Sequence, residues 1–140
     1  MRIILDTNVL LSGLLIAEGA PAKLLEAWER NLFTLVACDE LIAEFREVMG
    51  RPFFKARLRG SAVELLAAGL RDFSLFFESL PSGPKAPDPK DSYLLALAEA
   101  SAAEFLVTGD KELQALKRHK ATRIVSPATM VGLLKETEKE

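Results

Sequence analysis

The sequence holds one cysteine and one histidine in 140 residues, Cys38 and His119. A lone cysteine excludes a disulfide within the chain and any cysteine-rich zinc site. A lone histidine excludes a two-histidine metal site, although count alone leaves a Ser-His-Asp or Cys-His arrangement open. Side-chain amides are nearly as scarce, being only Asn8, Asn31 and Gln114, a shortage associated with heat-adapted proteins. Long apolar runs are missing too. Asp6 interrupts the first one before a signal-peptide core can form, and the longest, residues 9–16, contains Ser12 and Gly13 and is too short to span a bilayer. The expectation is a cytoplasmic protein without a membrane segment.

What the chain has in quantity is carboxylate. Asp and Glu number 20 against 18 Lys and Arg, for a formal charge of −2. With 49% hydrophobic and 27% charged residues the composition is that of an ordinary globular protein, and the length suits a single domain over residues 1–140. Neutrality does not point to a nucleic-acid binder, but the distribution of charge is uneven. Residues 46–60 carry Arg46, Arg51, Lys55, Arg57 and Arg59 against Glu47 alone; residues 111–123 carry Lys111, Lys117, Arg118, Lys120 and Arg123 against Glu112 alone. Two basic segments therefore sit in an otherwise acidic body. They suit a phosphate backbone, or they are solvated surface; Arg51 and Lys111 are the better candidates for a phosphate contact.

The apolar patterning alternates between two periods. Ile3-Ile4-Leu5 and Phe105-Leu106-Val107 are short and unbroken, as strands buried on both faces of a parallel sheet are. Weaker strand candidates lie at 33–37 and 123–126. Helical spacing is seen over 20–31, which opens on Pro21, over 39–49 behind Asp39, over 61–73, from 91 to 102, and from 127 onward. Prolines at 81, 84, 87 and 89 mark a stiff loop. Strands alternating with helices predict an α/β fold around a mostly parallel sheet, in which functional groups gather at the carboxyl ends of the strands.

Four acids stand out by position. Asp6 ends the first strand; Asp110 ends the later one through Thr108 and Gly109; Asp91 opens the helix before it. On the 39–49 helix Leu41, Ile42, Phe45, Val48 and Met49 form the apolar stripe. At 100° per residue Glu44 lies beside that stripe, while Glu40 and Glu47 turn further into solvent. Each acid has a plain structural alternative: Asp6, Asp91 and Asp110 can cap helices, and Glu44 can pair with an arginine. Gathered at one sheet edge, however, they would repel one another, and a divalent cation relieves that repulsion. Mg²⁺ and Mn²⁺ favour oxygen ligands, and metal-bound water is a nucleophile for phosphodiesters that needs no histidine or cysteine.

Taken in order, Ile3-Ile4-Leu5-Asp6-Thr7-Asn8, Glu44 followed by Val48-Met49-Gly50-Arg51-Pro52, Asp88-Pro89-Lys90-Asp91 leading into Leu94-Leu95-Ala96-Leu97-Ala98, and Leu106-Val107-Thr108-Gly109-Asp110 resemble the PIN-domain nucleases. Within them they are similar to the VapC-like toxins of toxin–antitoxin pairs. The resemblance implies a three-layer α/β/α sandwich and hydrolysis of RNA dependent on Mg²⁺ or Mn²⁺. It also implies an acidic metal site of Asp6, Glu44, Asp91 and Asp110, supported by Asn8 and Thr108 with Asp88 peripheral. A homodimer and a cognate antitoxin partner are implied as well. One departure is Ser92, where many relatives have Asn. Two other readings stand beside it: a PIN-like protein that binds RNA or partners with little catalysis, and, far behind, a Mg²⁺-binding receiver-like signalling module. The receiver lacks support, because the middle strand ends Val36-Ala37-Cys38 without a phosphoacceptor aspartate.

Overall fold

In the computed structural model, which describes residues 1–139, the elements build one six-stranded sheet. The first strand, β1 (Arg2–Leu5), leads into helices α1 (Thr7–Leu15) and α2 (Ala20–Glu29), then β2 (Thr34–Cys38). Helices α3 (Asp39–Met49), α4 (Pro52–Lys55) and α5 (Gly60–Asp72) precede the edge strand β3 (Leu75–Phe77). A 3-10 turn at Pro89–Asp91 starts α6 (Ser92–Ser101), followed by β4 (Phe105–Val107), α7 (Lys111–Ala115), the short β5 (Arg118–His119), β6 (Thr122–Val125) and α8 (Pro127–Lys139).

The strand order is β3-β2-β1-β4-β6-β5, parallel throughout except for β5 against β6. The chain winds outward from β1 in one direction, then returns to wind outward from β4 in the other. The reversal lies between β1 and β4, where Ile3, Ile4 and Leu5 pair with Phe105, Leu106 and Val107. Such a switch point opens a crevice at the carboxyl ends of the two strands. The order differs from the 2-1-3-4-5 of receiver-like sheets, which removes that reading.

Right-handed crossovers place the helices on both faces. On one face α6 lies across β1 to β4; on the other α1 packs on α2 and α3, α3 on α5, and α2 on α8. Two-sided coverage explains why β1 is a plain apolar run: Ile3, Ile4 and Leu5 are all fully buried. It also explains α6, whose Leu94, Leu95, Ala96, Leu97 and Ala98 are buried without a polar face between them. Gly13 sets the approach of α1 to α2, since a Cβ there would fall 2.6 Å from Leu25 Cδ1. No single helix among the described residues is long and apolar enough to cross a membrane; α1 and α2 together would be, but they turn by 95° and pack into the core.

Most expected elements fall within a residue or two of their predicted limits. Three differ. Cys38 occupies the cap of α3, and Asp39 becomes its first helical residue, ion-paired to Arg71 at 3.1 Å. The strand β3 escaped the apolar pattern because three half-buried residues beside a proline-rich loop are too few to show a period. His119, which reads as a surface residue from its basic neighbours, is half-buried in β5, with Nε2 2.7 Å from Glu99 Oε2.

Candidate active site

Parallel winding puts all four acids at the same end of the sheet. Asp6 directly follows β1 and Asp110 follows β4. Asp91 opens α6, which must descend from the carboxyl edge to reach the start of β4. Glu44 stands half-buried on α3, the helix that leaves the end of β2, while Glu40 and Glu47 are exposed as the helical angle predicts.

Asp6 and Asp110 share one hydroxyl. Thr108 Oγ1 donates to Asp6 Oδ2 at 2.7 Å and accepts from the Asp110 N–H at 3.0 Å. The Asp6 N–H donates to Val107 O, and Gln114 Nε2 donates to Thr108 O, so backbone and side chain fix the threonine from both sides. Asp6 is 3% exposed and Thr108 fully buried. Although Asp6 holds the cap position of α1, its side chain makes no cap hydrogen bond. Its carboxylate accepts from Thr108 instead. Asp91 likewise occupies a cap position without capping. Asp110 does cap: its Oδ1 accepts from the N–H groups of Glu112 and Leu113, leaving Oδ2 for other work.

The acids act on one another electrically. Burial raises the Asp6 carboxyl above the usual range, against the lowering effect of the Thr108 hydrogen bond, and Glu44 and Asp110 push it further up. Asp91 is pushed up to about 6, first by desolvation and then by Asp6, Asp88, Glu44 and Asp110. None of the four acids has an ion-pair partner among the described residues; the paired acids, Asp39, Glu47, Glu64 and Glu99, lie elsewhere. Equally, no three acids among the described residues close on one point at ligating distance.

The other predicted residues divide. Thr108 belongs to the network, whereas Asn8 is exposed in the first turn of α1 and makes no side-chain hydrogen bond among the described residues. Asp88 is exposed and caps the 3-10 turn through Lys90 N–H. Arg51 is exposed, 3.8 Å from Glu47, and Lys111 is exposed directly after Asp110. Much of the second basic segment is engaged elsewhere: Lys120 pairs with Glu99 at 2.7 Å and Arg123 lies over the Phe105 ring. Ser92 accepts from Ala86 N–H and ties down the loop before α6.

Sequence reasoning missed Gln114, whose rarity as an amide was the available signal, and the pair Thr7 and Tyr93. Thr7 is 1% exposed, yet its Oγ1 has no hydrogen-bond partner, and neither has the buried Tyr93 hydroxyl. Burial pushes the ionisation of the tyrosine up, and the charges of Glu44 and Asp6 push it in the same direction.

The structure is thus a mostly parallel α/β sandwich with acids at its switch point. The chain matches the PIN domain model over residues 2–112, four-fifths of its length, and it belongs to the PIN domain family. That membership makes it a nuclease domain, acting on nucleic acid. No curated protein matches the chain at a significant level.

Proposed function

We propose that the protein is a metal-dependent endoribonuclease that hydrolyses RNA phosphodiester bonds with Mg²⁺ or Mn²⁺. The observation that carries this is the set of four unpaired acids at the switch point, two of them raised by burial and by their neighbours. Such a set is destabilising by itself and is relieved by a hard divalent cation.

The donors fit that ion. They are carboxylates without sulfur or imidazole, and beside them lie two buried hydroxyls lacking partners, which the waters of a hydrated ion would satisfy. Asp6, Glu44, Asp91 and Asp110 would hold the ion. When bound it supplies a Lewis acid and lowers the pKa of water. The chain's own residues do the placing. Thr108 ties the Asp6 carboxylate to the Asp110 backbone, the α7 cap orients the Asp110 carboxylate, and Lys111 with Arg51 draws the phosphate backbone toward an edge that would otherwise repel it.

Purified protein with Mn²⁺ or Mg²⁺ should cut RNA internally, and chelation should stop it. Cutting that survives full chelation would remove the metal from the reading. Tyr93→Phe gives a separate check. Removing an unpartnered buried hydroxyl should raise metal-free stability by about 1 kcal/mol, while loss of an outer contact should weaken Mn²⁺ binding about ten-fold. Thermal melting and calorimetric titration read the two effects; unchanged binding would detach Tyr93 from the ion.

The toxin role, with a cognate antitoxin and a homodimer in the cytoplasm, extends this reading and is supported by the resemblance to VapC-like toxins. The groove between α2 and α5, where Leu65 and Phe73 stand exposed beside Trp28, is the surface available for either protein partner. Sedimentation of the purified chain reports the dimer. Growth arrest on expression, relieved by the product of a neighbouring reading frame, reports the toxin.

A further inference from the structure

We propose that α4 and the turn after it form a stacking platform for single-stranded RNA, built from Phe53 and Arg57. The inference rests on the nuclease reading and adds to it where the strand lies and in which form it binds.

The position follows from topology. Strand β3 is parallel to β2 and pairs with it from Val36 onward, so α5, which feeds it, ends level with the middle of β2. A 13-residue helix is about 20 Å long, which places its start, Gly60, toward the carboxyl edge where the acids are. The segment between α3 and α5 therefore lies at the acidic end. Glu44 and the end of α3 at Met49 are separated by only about 8 Å of helix.

The chemistry of that segment is one-sided. From Val48 to Val63 there are four cations, Arg51, Lys55, Arg57 and Arg59, and no acid. Lys55, Arg57 and Arg59 have no ion-pair partner among the described residues. Amid these cations Phe53 is 53% exposed, while its neighbour Phe54 turns edge-on to it and packs inward against the core. An exposed phenylalanine forgoes the free energy of burial until something covers it. The Arg57 guanidinium lies 3.7 Å from the centre of the Phe53 ring, held there by a hydrogen bond from Nη1 to Phe53 O at 2.9 Å.

A planar cation fixed on an aromatic face, in a segment that also carries the unpaired Lys55 and Arg59, has the two elements that single strands require. Bases stack on the exposed π surface, and phosphates meet the cations. Paired bases in a duplex are already stacked and are not free to use it. An acidic protein segment would also be drawn to the cations, but it would leave the flat stack unused.

The test uses the full chain carrying Asp6→Asn, with chelator present, so that binding is read without cleavage. A short labelled RNA without self-complementarity, and the same RNA annealed to its complement, are titrated by fluorescence anisotropy. Phe53→Ala should weaken single-strand binding about ten-fold and leave duplex binding unchanged. Phe53→Trp should retain it. Arg57→Lys keeps the charge but loses the plane, so affinity should fall while the salt dependence stays the same. Single-strand affinity within two-fold of the parent in Phe53→Ala would overturn the platform and leave the surface to an acidic protein partner. Failure of the wild-type chain to cut RNA, with Phe53-dependent binding intact, would overturn the nuclease reading and not the platform.

Discussion

Asp6→Asn is expected to lower RNA cleavage by on the order of a hundred-fold or more, the effect of removing one preorganised charge from an active site, while raising the melting temperature of the metal-free protein. The two effects have one cause. Asp6 is nearly fully buried, carries no counter-ion, and faces Glu44 and Asp110, so its charge opposes folding even as it prepares the site. Asparagine keeps the shape and can still accept from Thr108 Oγ1. Only the charge is lost. Cleavage assays and thermal melts on the same preparation read both. Retained cleavage would take Asp6 out of the site, and a lowered melting temperature would make it a structural acid whose charge is satisfied locally. Asp110→Asn is the companion variant. Asparagine caps helices about as well as aspartate, so α7 should survive while cleavage is lost.

This division between charge and shape shows how far the sequence alone could be read. The edge that holds Asp6 and Asp110 was legible because Ile3-Ile4-Leu5 and Phe105-Leu106-Val107 are unbroken apolar runs, and only two-sided burial favours that pattern. Glu44 was legible because helical angle is a local property. The roles of individual acids were less so. Asp88, Asp91 and Asp110 all sit at helix starts with similar sequence surroundings, yet Asp88 and Asp110 cap and Asp91 does not. That choice depends on where the chain enters the helix, which no spacing rule contains. The bridge made by Thr108 joins residues 102 positions apart and depends on the β1–β4 pairing. Tyr93 gave the least signal. A single tyrosine on an apolar helix is ambiguous from sequence, and only coordinates show its hydroxyl buried without a partner.

The second large effect is on stability, and it couples protons to the metal. The Asp91 carboxyl is raised from about 4 in the unfolded chain to about 6 in the folded one, and that of Asp6 is raised as well. The folded chain therefore binds more protons than the unfolded chain between those values. The Asp91 contribution is full below about pH 4 and is lost as pH rises through about 6, and that of Asp6 has the same sign. Glu99 works in the opposite sense: Lys120 and His119 hold its carboxyl low, so its contribution is present at neutral pH and is lost on acidification. A plain pH–stability curve would mix the two. The difference between Asp91→Asn and wild type separates them, because Glu99 is common to both. Without metal, the variant's melting temperature should match wild type near pH 4 and exceed it increasingly up to pH 7.5. Divalent cation should then reverse the order. At a hundred times its dissociation constant, Mn²⁺ adds about 2.7 kcal/mol to the wild-type chain, roughly 5 to 10 °C for a chain of this length. In Asp91→Asn it should add less. The wild-type gain should also shrink as pH falls toward 5, since proton and metal compete for the same oxygens. A melting temperature indifferent to Mn²⁺ at pH 7.5, or an equal gain in the variant, would separate the acids from the ion. The repulsion that strains this edge of the sheet is thus the same quantity that a cation recovers on binding, and the pH at which one replaces the other is set by burial of Asp6 and Asp91.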